Sequence, residues 1–490
     1  MKSKNIFYFF LNTCLFLLGI TIFATSFSGD NFNTILSGIM IVFLSGVIAT
    51  LYDFKHKYIL FFFYICIFTF LLSRPFISMC KGDVWWNYSY DANKKALLIL
   101  FVSLIFLRLG DFVISFISNR VKSKRNNTKI ESDSRLRKSS LLFYIVFIII
   151  NIIYGVYSYV TASATYADVY IAESLSSFSL LRTIASLAIF PLCIYLSTNP
   201  KKRDSVICLI LYIISTIPNL LIGTRADFVL AIIFTLIYFI YRHLYFKDEK
   251  WIGKLEIWLL IIFVPVGLFG LGALNYLRDN QATSFNFVDG IVDFFYKQGV
   301  SYDVMTYAME FEDAVHATNS NNFVFGSIID TIQHGTIGTL LGGSSLGGNT
   351  IIHATEAHSF AHTLAYTVVR DDYLSGHGLG SSFILEAYFD GGLFGVGLIS
   401  FIYALFLTGA SRLLKKGNFL RIIVFIVLSK IMLAPRAEAL GSITFLFTIQ
   451  FWLVVLLVYL IRSAFVKKNV YYIGYLVNSK KISYYGGKKR

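Results

Sequence analysis

Charge is scarce in this chain of 490 residues: Asp, Glu, Lys and Arg make up only 14% of it, against about 25% in soluble globular domains. Apolar residues reach 56%, above the usual range of about 45–50%, so lipid is the expected solvent for most of the chain. Cysteine is scarce too. Of Cys14, Cys66, Cys80, Cys193 and Cys208, four lie in apolar runs and only Cys80 falls in a segment expected outside the membrane. One exposed thiol without a partner argues against a disulfide framework, and the spacing excludes a zinc-finger pattern. There is no Gly-x-Ser-x-Gly elbow and no Walker loop. The Gly-rich stretch 342–348 is not followed by Lys-Ser/Thr, so nothing here points to a nucleotide. No internal repeat is visible.

What is present is a series of long apolar runs. A bilayer core of about 30 Å needs about 20 apolar residues per helix. That length places twelve spans at approximately 5–25, 32–51, 58–73, 96–118, 140–162, 179–198, 205–222, 227–245, 255–277, 391–410, 418–434 and 440–461. The first resembles a signal peptide, but it lacks a convincing cleavage site and more spans follow, so it reads as a span. Phe and Tyr are abundant, at 48 and 31 residues, as expected for lipid contacts and interfacial belts.

The formal charge of +15 would suit nucleic acid, but its distribution does not. With the N-terminus inside, the gaps expected in the cytoplasm hold Lys55 and Lys57, the cluster from Arg120 to Lys138, Lys201 to Arg203, Arg242 to Lys254 and Arg412 to Arg421. The tail 462–490 is basic as well. This alternation follows the positive-inside rule and puts both termini in the cytoplasm. The discordant gap is 74–95, with Arg74, Lys81, Lys94 and Lys95. Residues 119–139 are polar and aperiodic and read as a disordered cytoplasmic linker.

The organisation expected is therefore nine spans over 1–277, a large extracytoplasmic loop over 278–390, three spans over 391–461 and the basic tail. A loop this long is usually functional or disordered, and its aromatic content argues against disorder. Apolar spacing over 287–315 and 356–370 suits amphipathic helices, and glycines over 338–348 suggest a flexible link or lid. Six of the eight histidines lie here, His316, His334, His353, His358, His362 and His377, and 278–382 carries three Lys or Arg against eleven Asp or Glu.

Charged residues also gather at the expected outer edge of the spans: Arg182, Arg225 in Gly-Thr-Arg-Ala-Asp, Arg278, Lys430 and Arg436 in Ala-Pro-Arg-Ala-Glu. Snorkelling, or pairing with Asp227, Asp279 and Glu438, accounts for any one of them. Together they suit a phosphate-bearing lipid headgroup, because guanidinium forks match phosphate oxygens. Arg108 and Asp111, three apart, read as an internal ion pair. His353, Glu356, His358 and His362 could form a metal set, but the His-Glu-x-x-His pattern is absent and histidines four apart are commoner than zinc sites. No metal is expected. His316 and His334 read as surface histidines.

The segment 376–397, GHGLGSSFILEAYFDGGLFGVG, carries His377 on a Gly-rich turn, then Ser381, Ser382 and Glu386 on a short helix that Gly391 and Gly392 break before the tenth span. Gly-rich segments at membrane boundaries often serve close packing alone. This segment resembles the stretch after the large periplasmic loop of Wzy-type O-antigen and oligosaccharide repeat-unit polymerases. AHTLAY around His362 and the turn GTRAD around Arg225 resemble two further stretches of that family, and the many-span layout extends the likeness over most of the chain. One departure is Phe389-Asp390-Gly391-Gly392, where the family often has a carboxylate or Asn followed by an aromatic.

The resemblance implies an all-α, GT-C-like membrane glycosyltransferase in a bacterial cytoplasmic membrane. It would polymerise polyprenyl-diphosphate-linked oligosaccharides into O-antigen, capsule or exopolysaccharide at the outer face, and a chain-length regulator would be a partner. No cofactor is needed, because the carrier bond is itself activated. Under this reading Arg225, Arg278 and Arg436 bind the diphosphate, with Arg370 a weaker fourth. Either His362 or His377 is the base, and Glu386 orients it or binds sugar hydroxyls. A flippase for the same lipids, a ligase using the same donor, and a receptor or assembly factor are the competing readings. Charges at one face rather than at midmembrane favour an enzyme over a flippase.

Overall fold

The computed structural model describes residues 2–29, 31–86, 88–120, 133–161, 179–246, 249–278 and 286–464. Among them there is no strand. Ten helices are long and apolar enough to cross a bilayer: Tyr8–Phe27, Phe32–Tyr52, Phe54–Lys81, Tyr90–Ile117, Ser134–Thr161, Lys202–Ile222, Ala226–Tyr245, Lys254–Ala273, Phe383–Leu413 and Asn418–Arg436. Two of the twelve expected spans are shorter apolar helices, Leu181–Ser197 and Ile449–Ala464. The first is interrupted between the helices Ser179–Ser186 and Ile189–Ser197, where Pro191 occupies the opening turn of the second, a position at which its missing N–H costs nothing. The last starts later than expected, because 440–448 folds as turns and a 3₁₀ segment, Thr444–Phe447.

The third span is longer than its apolar run. It continues through a π-helical turn, Phe68–Leu72, into the helix Ser73–Lys81. Pro75 cannot donate to the turn before it, and the widened turn accommodates that loss. Arg74 is thereby carried on the end of a span and not on a loop. Residues 134–139, expected in a disordered linker, are the first turns of the helix Ser134–Thr161, and the helix before the linker runs to Arg120. The remainder of that linker, 121–132, and the tail from 465 lie outside the described residues.

The helices Tyr90–Arg120 and Phe383–Leu413 form the central pair, with Phe54–Ile67 packed beside them. Polar ties hold this pair: the Ser103 and Ser400 hydroxyls meet at 2.8 Å, and Thr408 donates to Asp111 at 3.1 Å. Asp111 also takes Lys57 at 2.8 Å and Arg108 at 3.0 Å, and Arg108 reaches Asn12 at 2.6 Å. The pair expected at Arg108 and Asp111 is therefore a buried four-helix junction, in which two cations share one carboxylate.

The long loop is largely helical. Phe287–Gln298, Ser301–Glu310 and Glu312–Thr318 fill the first amphipathic stretch, and Phe360–Val368 most of the second. Phe383–Leu413 breaks where expected, at Gly391 and Gly392. Gly392 takes φ 56°, ψ −150°, a combination open in practice only to glycine. Ahead of the break, Asp390 accepts the amides of Phe323 and Val324 at 2.9 and 2.7 Å, which ties the loop to the central helix.

Candidate functional site

A cavity of about 760 Å³ lies where the Gly-rich turn, the Gly-Thr-Arg-Ala-Asp turn and the end of the third span meet. Its lining mixes apolar side chains, Phe70, Val229, Leu230, Ile233, Met432 and Leu433 among them, with polar and cationic ones. Among the described residues four cations line it, Arg74, Arg225, Lys297 and Arg436, and no carboxylate does. The local charge therefore favours an anion, and the apolar part of the lining favours one attached to hydrocarbon.

Each cation is set by a different element. Arg225 sits at the start of the helix Ala226–Tyr245, whose first residue also lines the cavity, so that helix directs its positive end there. Arg436 closes the 3₁₀ segment Ile431–Arg436 and donates to the Gln298 side chain at 2.9 Å. Arg74 pairs with Asp303 at 2.9 Å and lies over the Tyr296 ring at 4.7 Å. Burial holds the Asp303 carboxyl above the usual range, and Arg74 opposes that shift. Lys297 is 3.5 Å from Asp293, one turn earlier. The helix carrying Lys297 and Gln298 fits against Arg74 because residue 299 is glycine. A Cβ there would lie 2.5 Å from the Arg74 Cβ.

His362 also lines the cavity. Its Nδ1 is 2.9 Å from the Tyr373 hydroxyl, which donates to the Thr350 carbonyl at 3.1 Å. A hydroxyl has one proton. With that proton on Thr350, Tyr373 accepts from His362 Nδ1–H, which leaves Nε2 as the unprotonated nitrogen. The His362 ring stacks on His353 with centroids 3.5 Å apart. Burial, and then the neighbouring His353, push the His362 imidazole down to about 3, so it is neutral at physiological pH.

Glu386 does not line the cavity. It is 1% exposed and accepts from the Ser381 hydroxyl and the Ala439 amide, both at 2.7 Å. The Tyr403 hydroxyl donates to the Ala439 carbonyl from the other side. The peptide three residues after Arg436 is thus gripped at both ends, and Glu386 locks the Gly-rich turn to the arginine segment. His377 is exposed, and the cavity wall at this point is its neighbours Gly376 and Gly378. Its carbonyl takes a 2.8 Å bond from Asn349, which also holds the Tyr373 carbonyl.

Of the residues proposed from sequence, the cavity gathers Arg225, His362 and Arg436. Arg370 stands exposed over the Tyr366 ring at 5.2 Å. Arg278 ends its helix, and its side chain lies outside the described residues. Arg74, Lys297, Asn349 and Tyr373 were missed. Arg74 had left a signal, as a cation on the wrong side of the charge alternation, and Tyr373 had left none. Of the four residues of the candidate metal set, His353 and His362 stack, but His358 turns away to bond Asp330 at 3.1 Å. Among the described residues no group of three His, Cys, Asp or Glu is placed to hold a metal ion.

No curated protein and no solved structure matches the chain. A family model described as O-antigen polysaccharide polymerase Wzy matches residues 5–469. The matched stretch contains every element around the cavity, from the end of the third span to the arginine segment before the last helix. The chain belongs to the O-antigen polysaccharide polymerase Wzy family.

Proposed function

We propose that the cavity holds the diphosphate of a polyprenyl-linked glycan at the outer face of the membrane, and that polymerisation occurs there without a metal ion. As a Wzy member the chain is an O-antigen repeat-unit polymerase of the bacterial inner membrane. The observation that carries the site assignment is the gathering of Arg74, Arg225, Lys297 and Arg436 at a cavity with no lining carboxylate among the described residues, where an unprotonated His362 nitrogen is also part of the lining.

In this reading the acceptor sugar's hydroxyl oxygen attacks the anomeric carbon that joins the growing glycan to its carrier. The anomeric carbon–phosphate oxygen bond breaks, and polyprenyl diphosphate leaves with the electron pair. The hydroxyl proton passes to His362 Nε2. Negative charge that develops on the diphosphate is met by preorganised guanidinium donors, each of which is worth about 3 kcal/mol in comparable oxyanion sites. The diphosphate's charge in turn favours the imidazolium that forms, which offsets the low basicity of the empty site. Glu386 serves as a positioning residue for Arg436, and Arg225 and Arg436 are the principal phosphate ligands. Arg278 and Arg370 remain candidates for the flanking phosphate or sugars, and His377 is the alternative base.

The positive-inside pattern supports cytoplasmic termini. The two shorter apolar helices support twelve crossings with a GT-C-like outer loop over 278–390. Chain-length control by a partner protein belongs to the same reading. The test is a glycan ladder assembled by purified protein from a defined polyprenyl-diphosphate oligosaccharide, with and without EDTA. The ladder is expected to persist in EDTA and to vanish in His362→Ala and Arg436→Ala. A ladder abolished by EDTA and restored by a divalent ion would overturn the metal-free mechanism.

A further inference from the structure

Residues 331–352, TIQHGTIGTLLGGSSLGGNTII, contain no Asp, Glu, Lys or Arg, within a loop that otherwise carries thirteen carboxylates. Such a run can leave water without the cost of moving a charge. The structure folds it into a protrusion. The helix Thr336–Leu340 ends in a turn at Gly342, and His334 Nδ1 bonds the Ser344 carbonyl at 2.8 Å to close the loop. At its tip Leu340 and Leu341 are 74% and 83% exposed, and Ile351 and Ile352 are 47% and 56% exposed. Singly exposed leucines are ordinary, but four large apolar side chains on one uncharged loop are not.

The neighbours of the protrusion indicate what covers it. Gln450 Nε2 donates to Thr336 at 2.6 Å, so the protrusion rests on the first turn of the helix Ile449–Ala464. The helix Gly326–Gln333, just before it, packs on Thr444–Phe447. Beyond that contact Trp452, Leu453, Leu456 and Leu460 are exposed along the apolar helix, the face expected to meet lipid. The apolar tip therefore continues a lipid-facing surface. The other end of the same segment is fixed to the cavity, since Asn349 lines it and His353 stacks on His362.

We infer that the Leu340–Leu341 tip is seated among the acyl chains of the bilayer, beside the last apolar helix, and anchors the outer loop to the membrane next to the cavity. Its occupant is lipid, and the contact is apolar because an acidic loop gains nothing from anionic headgroups. The leaflet follows from the outer placement of the loop proposed above. The lipid contact itself requires neither that orientation nor polymerase activity.

The test uses full-length protein with Cys14 and Cys80 replaced by Ser, in liposomes. An environment-sensitive fluorophore is attached at Leu341→Cys or, as a control, at Asp371→Cys, which is exposed on a charged helix of the same loop. Phosphatidylcholine carrying a nitroxide high on its acyl chain is the quencher. Quenching at position 341 is expected to exceed that at 371 by at least threefold, with a blue-shifted emission. Equal quenching at the two positions overturns the inference. A disulfide-linked dimer formed by the unlabelled Leu341→Cys protein also overturns it and assigns the face to a second copy. Neither result bears on the glycan ladder.

Discussion

In Glu386→Ala, the Ser381 hydroxyl and the Ala439 amide lose their acceptor in a site that is 1% exposed. The hydroxyl can rotate and the amide cannot, so at least one buried donor is left unsatisfied, at about 1–3 kcal/mol, and the truncated side chain leaves a void that adds to this. The sum is roughly 2–5 kcal/mol, with Arg436 released because its neighbouring peptide is no longer held. Glu386→Gln behaves differently. Its carbonyl oxygen can face the Ala439 amide, while its amide group donates to the Ser381 oxygen, which then acts as acceptor. Both bonds survive, and stability should fall by no more than about 1 kcal/mol. Thermal unfolding in detergent and initial ladder rates measure the two effects. The Ala variant should unfold several degrees early with a raised KM for the lipid-linked donor. The Gln variant should keep at least a third of wild-type kcat. A Gln variant that unfolds normally yet loses more than a hundredfold in kcat would refute the positioning role and make the carboxylate itself part of the chemistry.

His362 protonates at about 3 in the folded chain, against 6.5 for an ordinary histidine. The unfolded chain therefore takes up this proton first as pH falls. The residue's contribution to stability is complete above about 6.5 and declines toward 3. For the same reason kcat/KM, which reports the empty site, should stay flat from pH 8 to 5.5, and an acid limb near 6.5 would assign the base elsewhere. Arg74→Ala should raise KM for the lipid-linked donor about tenfold, because it removes a lining cation and leaves half-buried Asp303 without its partner; an unchanged KM would remove Arg74 from the site. Gly299→Ala places a methyl group 2.5 Å from the Arg74 Cβ and 2.6 Å from the Arg74 amide nitrogen. It should lower activity at least tenfold while leaving the membrane fraction of the protein unchanged, as judged by ladder rate and fractionation.

The membrane architecture was legible because bilayer thickness imposes a length and lipid imposes a composition. Ten of the expected spans are helices long and apolar enough to cross a bilayer and two are shorter apolar helices, and the Gly391–Gly392 break was visible as two residues that tolerate what others do not. Helix ends were less legible. The third span outran its apolar run because a π-turn at Phe68–Leu72 carries the chain past Pro75. The segment 440–448 is apolar yet turns, since its conformation is set by the grip on Ala439 from Glu386 and Tyr403, on another helix. Of the residues singled out by chemistry, Arg225, His362 and Arg436 line the cavity, and tertiary distance decided which others join them. Glu386 carried the right residue type for chemistry and lies buried beneath the cavity wall. Tyr373, which fixes the His362 tautomer, is one of 31 tyrosines and has no local mark to distinguish it. Arg74 was the informative anomaly: of the four cations against the charge alternation, it is the one that lines the cavity.

The central claim is that the cations around the cavity bind a lipid diphosphate. It is tested most directly with polyprenyl diphosphate that carries no sugar, titrated against wild-type protein and the Arg225→Ala and Arg436→Ala variants in nanodiscs. The account predicts saturable binding that each substitution weakens at least tenfold, equivalent to about 1.4 kcal/mol, with thermal unfolding unchanged. Equal affinity across the three folded proteins would place the diphosphate elsewhere and contradict the account.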